Sequence, residues 1–271
     1  MTTPPRDSKR STRDKAAAAR AAADSVQRRR DNRIRIFGGL AILVVVALIV
    51  GLGVWGSKQG DTTPGGIVTD AKVPTGVNAN TGDYAWAVPA AKPAAAGAPT
   101  LSIWEDFQCP SCAALETGNG PAILKLATDG KVNLVWRPTT FLDPRFLTGA
   151  NPKSSHRATM AWGCAIDAGK ADEYHSVIFA HQPATEGDGW SDQELLDYGT
   201  EAGITGAAFV TFSACYDAAT YDQWVTNSYQ TFIDQAVPGT PAAFLNGTEV
   251  PPATLLDTAA LEKLIADATG K

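Results

Sequence analysis

Between residues 36 and 55 the alternation of hydrophobic and polar positions disappears: IFGGLAILVVVALIVGLGVW runs for twenty residues without a charge. At about 1.5 Å of rise per residue, a helix of that length crosses the hydrocarbon layer of a bilayer. A helix in a globular core keeps a polar stripe, and this segment has none. A cleaved signal is the competing reading, yet the run exceeds a usual signal core and no A-x-A-like site follows in GSKQGDTTPGG. No cysteine follows closely enough to accept a lipid. The pattern predicts an uncleaved signal anchor, a single transmembrane helix at residues 36–56. Two stretches without periodicity come next, residues 56–66 and 89–99 (PAAKPAAAGAP), and these read as stalk and linker. Residues 57–98 are assigned to them, with residues 84–88 as an edge strand between.

From residue 100 the pattern becomes that of a compact domain. Residues 101–107 (LSIWEDF) predict a strand running straight into Cys109-Pro110-Ser111-Cys112. Residues 113–116 open a helix, 118–121 (GNGP) interrupt it, and 122–128 resume it up to the stop at Asp129-Gly130. Residues 132–137 (VNLVWR) form a second strand, and the economical arrangement is a parallel pair with a helical crossover. Residues 153–235 keep helical spacing, broken near 168–169, 183–190 and 203–206, which fits four or five helices. Residues 241–246 predict a strand, Asn246-Gly247 a tight hairpin and 248–250 the returning strand. An amphipathic helix at 255–269, closed by Gly270, ends the pattern. The fold class expected is α/β with an all-helical insertion at about 151–235, in a domain over residues 99–271.

Charge divides the chain in the same place as hydropathy. Residues 1–35 carry +7 and the remainder −12, within a total of −5. Lys and Arg beside a membrane helix are retained on the cytoplasmic side, so residues 1–35 read as a cytoplasmic tail and the acidic part as extracytoplasmic. Arg28, Arg29, Arg30, Arg33 and Arg35 then face the lipid bilayer, where anionic headgroups attract them. Topology accounts for the basic tail with fewer assumptions than a nucleic-acid partner, and none is assigned. All four cysteines fall on the exported side, where disulfides persist.

A strand that ends in Cys-x-x-Cys and opens a helix places the first sulfur over unpaired N–H groups and the positive end of the helix dipole. Such surroundings lower a thiol from about 8.5 into the range of roughly 3.5–7.5. Cys112 lies one turn on, close enough to close a disulfide, and Pro110 suits the first turn, where its missing N–H is no loss. The competing readings are a structural disulfide and half of a zinc site. Zinc would need a second close pair, but Cys164 and Cys215 stand about 50 residues apart and His156, His175 and His181 have no matching spacing. Redox chemistry is therefore favoured, with Cys109 as the attacked sulfur and Cys112 as the resolving one.

The strand EDFQCPSC, the insert SSHRATMAWGCAIDAGKADEYHSVIFAHQP followed by GWSDQELL, and the later GTPAAFLNG together resemble the DsbA-like branch of the thioredoxin superfamily. The similarity extends over about residues 99–271 and includes a likeness to membrane-anchored actinobacterial members. It implies a thioredoxin fold carrying the helical insertion. It also implies a cis-proline loop at Thr240-Pro241, with Thr240 offering backbone groups to a substrate strand and Pro241 keeping metals and competing donors off the sulfurs. A structural Cys164–Cys215 disulfide and the lack of any cofactor or bound metal belong to the same expectation. Two positions depart from the pattern. Ser111 stands where strongly oxidising relatives often carry His, and Ile103 where thioredoxin-like proteins often bury an acid. Glu105, two residues on and on the same strand face, is assigned the proton-transfer role, against the alternative of an ordinary solvated carboxylate.

Trp162, Trp190, Trp224, Tyr174, Phe179 and Tyr216 are expected to pack the insert, and the three histidines to be surface or packing residues. The leading function is disulfide formation in unfolded or folding exported proteins, with reoxidation by a membrane partner of the DsbB or vitamin K epoxide reductase type. A reductase or isomerase, for instance in cytochrome maturation, is the runner-up. A non-enzymatic chaperone or copper carrier is disfavoured, because no histidine follows Pro241 to stand near the pair.

Overall fold

The computed structural model describes residues 66–78, 82–89 and 94–270. The basic tail, the expected anchor and the first part of the stalk lie outside them, and among the described residues no helix is long and apolar enough to cross a membrane.

Among the described residues there are six strands: β1 (Val77–Asn78), β2 (Asp83–Ala87), β3 (Thr100–Glu105), β4 (Asn133–Pro138), β5 (Ala242–Leu245) and β6 (Thr248–Val250). They form one sheet in the order β1-β2-β4-β3-β5-β6. Only β3 and β4 run parallel, in register from Thr100 opposite Asn133 to Glu105 opposite Pro138. Their crossover is the expected one, helix α1 (Pro110–Gly118) followed by α2 (Gly120–Thr128). The break between the two helices is a buried fastening point. Asn119 donates from Nδ2 to the Leu255 carbonyl at 2.7 Å and accepts from the Thr258 hydroxyl at 2.5 Å.

The insertion holds five helices: α3 (Ser154–Asp167), α4 (Ala171–Ala180), α5 (Asp192–Glu201), α6 (Gly206–Asp217) and α7 (Asp222–Asp234). Helix α3 is its centre, and nearly every residue from Ser154 to Ile166 is buried. Helix α7 approaches it closely at Gly163, where a Cβ would stand 2.7 Å from the Tyr221 ring and 3.0 Å from that of Trp224. The break between α6 and α7 at Ala218–Tyr221 carried no glycine or proline to announce it; Ala219 there takes a positive φ of 47°. After the insertion come the β5–β6 hairpin and helices α8 (Pro252–Leu255) and α9 (Thr258–Ala268). Asn246 and Gly247 both take positive φ at that hairpin, as the tight turn requires.

Three boundaries are corrected. Strand β3 ends at Glu105 rather than at 107, because the Asp106 carbonyl accepts the Cys109 N–H at 2.9 Å and turns the chain. Strand β2 is no edge: β1 covers it on one side and β4 pairs with it on the other. Tyr84 and Trp86 are buried, and the Trp224 indole donates to the Tyr84 carbonyl at 2.8 Å, so the packed domain starts well before residue 99. The final helix is also split, since Asp257 caps a fresh start by accepting the Ala260 N–H at 2.9 Å.

Both faces of β3 are covered. Leu101 and Ile103 pack with Leu115, Ile123 and Cys112, while Trp104 packs on the opposite side with Phe232 and Val237. Glu105 shares the face of Leu101 and Ile103, so its carboxylate enters the interior beneath α1.

Candidate redox site

Cys109 is the N-cap of α1, extended at φ −76° and ψ 117°, with Pro110 in the first turn. Cys109 is 7% exposed, Pro110 and Ser111 are exposed, and Cys112 is fully buried. Both cysteines are free thiols. The Cys109 thiol donates to the Thr240 carbonyl at 3.3 Å, and the Thr240–Pro241 peptide is cis. The structure thus brings together residues separated by more than 130 positions, as the resemblance implied.

The two thiols are unlike. Cys109 is lowered to about 6, first by the Cys112 thiol donating to it, then by the Thr240 hydroxyl and the N–H groups of Cys112 and Ser111, against an opposing contribution from burial. The Thr240 hydroxyl has no partner while Cys109 is a thiol, which leaves it available to donate to the thiolate. Burial pushes Cys112 well above the ordinary thiol range, with the neighbouring Cys109 and Glu105 adding to it.

Glu105 is no solvated carboxylate. It is 5% exposed, and burial together with the charge of Cys109 raises its proton affinity well above the usual carboxyl range. Beside it lies His175 from α4, whose Nε2 is 3.0 Å from Glu105 Oε2 and whose Nδ1 is 3.6 Å from Glu116 Oε2. The expectation that His175 is a surface or packing residue is half right. It packs among Trp136, Phe179, Phe107 and Trp162, but between two acids. His156 and His181 lie near the surface on Asp222 and Glu201.

Sequence reasoning passed over a second buried group beneath the motif. Asp106 accepts from the Gln108 N–H, the Leu142 N–H and the Ser155 hydroxyl at 2.9, 3.0 and 2.5 Å. Gln108 Nε2 donates to Asp143 Oδ1 at 3.0 Å, and Asp143 accepts the N–H groups of Ser155 and His156 at the start of α3. Burial raises Asp106 to about 8 despite those donors. From the insertion, Gln182 Nε2 donates to the carbonyls of Phe107 and Cys109 at 2.8 and 3.0 Å. These residues hold the turn that presents Cys109. The only sequence signal was a run of polar residues, Glu105-Asp106 and Gln108, at the end of an apolar strand.

Cys164 and Cys215 are bonded, S–S 2.02 Å, joining α3 to α6. The aromatic residues expected to pack the insertion do so, and Trp162 and Trp224 also face β2: the rings of Trp162 and Trp86 lie 5.7 Å apart.

The family model described as Thioredoxin matches residues 94–267, so the chain belongs to the thioredoxin family. Among solved structures, MdbA, a thiol-disulfide oxidoreductase from Actinomyces oris, is 20% identical with a TM-score of 0.59, covering 76% of this chain and 95% of that one. Oxidised DsbA from Mycobacterium tuberculosis is 28% identical with a TM-score of 0.52, covering 64% and 84%. BdbD from Bacillus subtilis shares the fold at 18% identity, TM-score 0.55, covering 75% and 98%. No curated protein matches the sequence. Within its family this protein is a thiol-disulfide oxidoreductase of the DsbA-like type.

Proposed function

We propose that the protein oxidises cysteine pairs in exported proteins, anchored by residues 36–56 with its catalytic domain outside the membrane. The observation that carries this reading is the unequal placement of the two thiols: Cys109 caps α1 beside Thr240 and is lowered to about 6, whereas Cys112 is wholly buried and pushed up. A stabilised Cys109 thiolate favours the dithiol enzyme, and so favours passing the disulfide to a substrate.

In the oxidised enzyme a substrate thiolate attacks Cys109. The Cys109–Cys112 bond breaks, its electron pair stays on Cys112, and Cys112 takes up a proton, with Glu105 as the nearby donor. A second substrate thiolate then attacks the substrate sulfur of the mixed disulfide and releases Cys109 as a thiolate, a good leaving group because of its low pKa. Thr240 offers its backbone to the substrate beside Cys109, and Pro241 keeps competing donors from the sulfurs. A membrane partner of the DsbB or vitamin K epoxide reductase type restores the disulfide.

Reduced, unfolded ribonuclease is the substrate for the test. The wild type should restore its activity and Cys109→Ser should not, and the redox potential should lie nearer about −120 mV than about −270 mV. A potential near the lower value would make the protein a reductant. Retention of the full chain in washed membranes, and its release on deletion of residues 36–56, checks the anchor.

A further inference from the structure

His175 belongs to the insertion, yet it ends up under the redox helix between Glu105 of β3 and Glu116 of α1, all three side chains being 5–8% exposed. Glu105 Oε1 and Glu116 Oε1 are buried with no hydrogen-bond partner, and burial raises the proton affinity of both carboxyl groups, which also act on each other. Two buried carboxyls flanking one imidazole do not both ionise readily, so a proton is held within the group. The imidazole adds a third exchangeable proton position, since it can donate from one nitrogen and accept at the other.

Each end of this trio meets something relevant. At one end Glu105 continues the β3 face on which Leu101 and Ile103 pack with Cys112, and its charge bears on the Cys112 thiol. At the other end a cavity of 330 Å³ is walled by Glu116, His175, Asp172, Trp136 and Phe179. Cys109, Thr240 and Pro241 are not among its walls, so solvent reaches the trio without crossing the substrate site. Among the described residues no group of three His, Cys, Asp or Glu side chains is arranged to hold a metal.

We propose that Glu105, His175 and Glu116 form a proton relay joining Cys112 to this cavity. The inference rests on Glu105 as the proton partner of Cys112 and adds the route by which Glu105 is recharged. When a substrate thiolate breaks the Cys109–Cys112 bond, the electron pair left on Cys112 takes a proton from Glu105. The Glu116–His175 pair returns one from the cavity. When Cys112 attacks a mixed disulfide, the same path carries its proton out. The titratable groups facing His175 are Glu105, Glu116 and, on its own helix, Asp172; the rings of Phe107, Trp136, Trp162 and Phe179 also pack against it.

The full-length oxidised protein is mixed rapidly with a dithiol, and the formation of the Cys112 thiol is followed by acid quench and alkylation. His175→Ala should slow this step on the order of 10²-fold at neutral pH, and imidazole in the buffer should restore it by entering the enlarged cavity. His175→Gln, which keeps the packing but cannot carry the proton, should stay slow with or without imidazole. Either variant running at wild-type speed, or a folded His175→Ala that imidazole fails to rescue, overturns the relay. Glu105→Gln separates the two ideas. If it is slow while His175→Ala is fast, only the relay falls; if it is fast, the role of Glu105 falls with it.

Discussion

The molecule contains two cysteine pairs, and the same side chain does opposite things in them. Cys109 and Cys112 sit three residues apart at a helix N-terminus, where N–H groups and a hydroxyl converge on one sulfur while the other is shut inside. Cys164 and Cys215 sit 51 residues apart on neighbouring helices of the insertion, away from the N-terminus of either. The first pair gains little from chain entropy, because its loop is short, and much from an electrostatic environment that stabilises the broken state. The second gains most from closing a long loop. Position in the fold, not the sulfur, separates a reactive bond from a structural one.

That contrast can be broken most directly by exchanging the roles under test. Cys109→Ser is expected to abolish oxidation of reduced ribonuclease, whereas Cys164→Ala with Cys215→Ala should keep it; activity surviving in the first and lost in the second, at a temperature where both are folded, would invert the comparison. The same double replacement should cost roughly 4 kcal/mol in denaturant unfolding by the chain-entropy argument, and a cost near zero would mean that the insertion does not depend on its bridge. Asp106→Ala should cost about 1–3 kcal/mol, because it strands the N–H of Leu142 and the Ser155 hydroxyl in the interior.

Acidity offers a finer test. The folded pKa of Cys109 is depressed, so its ionisation stabilises the reduced protein fully above the unfolded thiol pKa, and this contribution is lost as pH falls through about 6. The stability of the reduced form relative to the oxidised form should therefore decline from alkaline pH down to about 6, and Cys109→Ser should remove the trend. Thr240→Val should have the smallest effect, an upward shift of the Cys109 titration followed by thiolate absorbance, because one of several donors is lost.

Much of the fold was legible in residue order. Strand, interrupted helix, strand, helical insertion and closing hairpin all appear in the periodicity, since a repeat of two or of 3.6 reports which face of an element is buried. The CPSC position before a helix also carried its chemistry, because the helix terminus that lowers Cys109 is made by the residues that follow it. Periodicity misled where burial came from far away: residues 84–88 read as an edge strand between linkers, whereas Trp224 and Trp162 from the insertion cover the strand at Asp83–Ala87.

What the sequence determined by itself was therefore local: the elements, the redox pair and the order of its two sulfurs. Tertiary structure alone decided the company that pair keeps. Thr240 meets Cys109 across 131 positions, His175 meets Glu105 across 70, and Asp143 caps α3 while holding Gln108. A buried acid and a solvated one look the same along a chain; the difference is made by which distant side chains remove the water and which return a hydrogen bond.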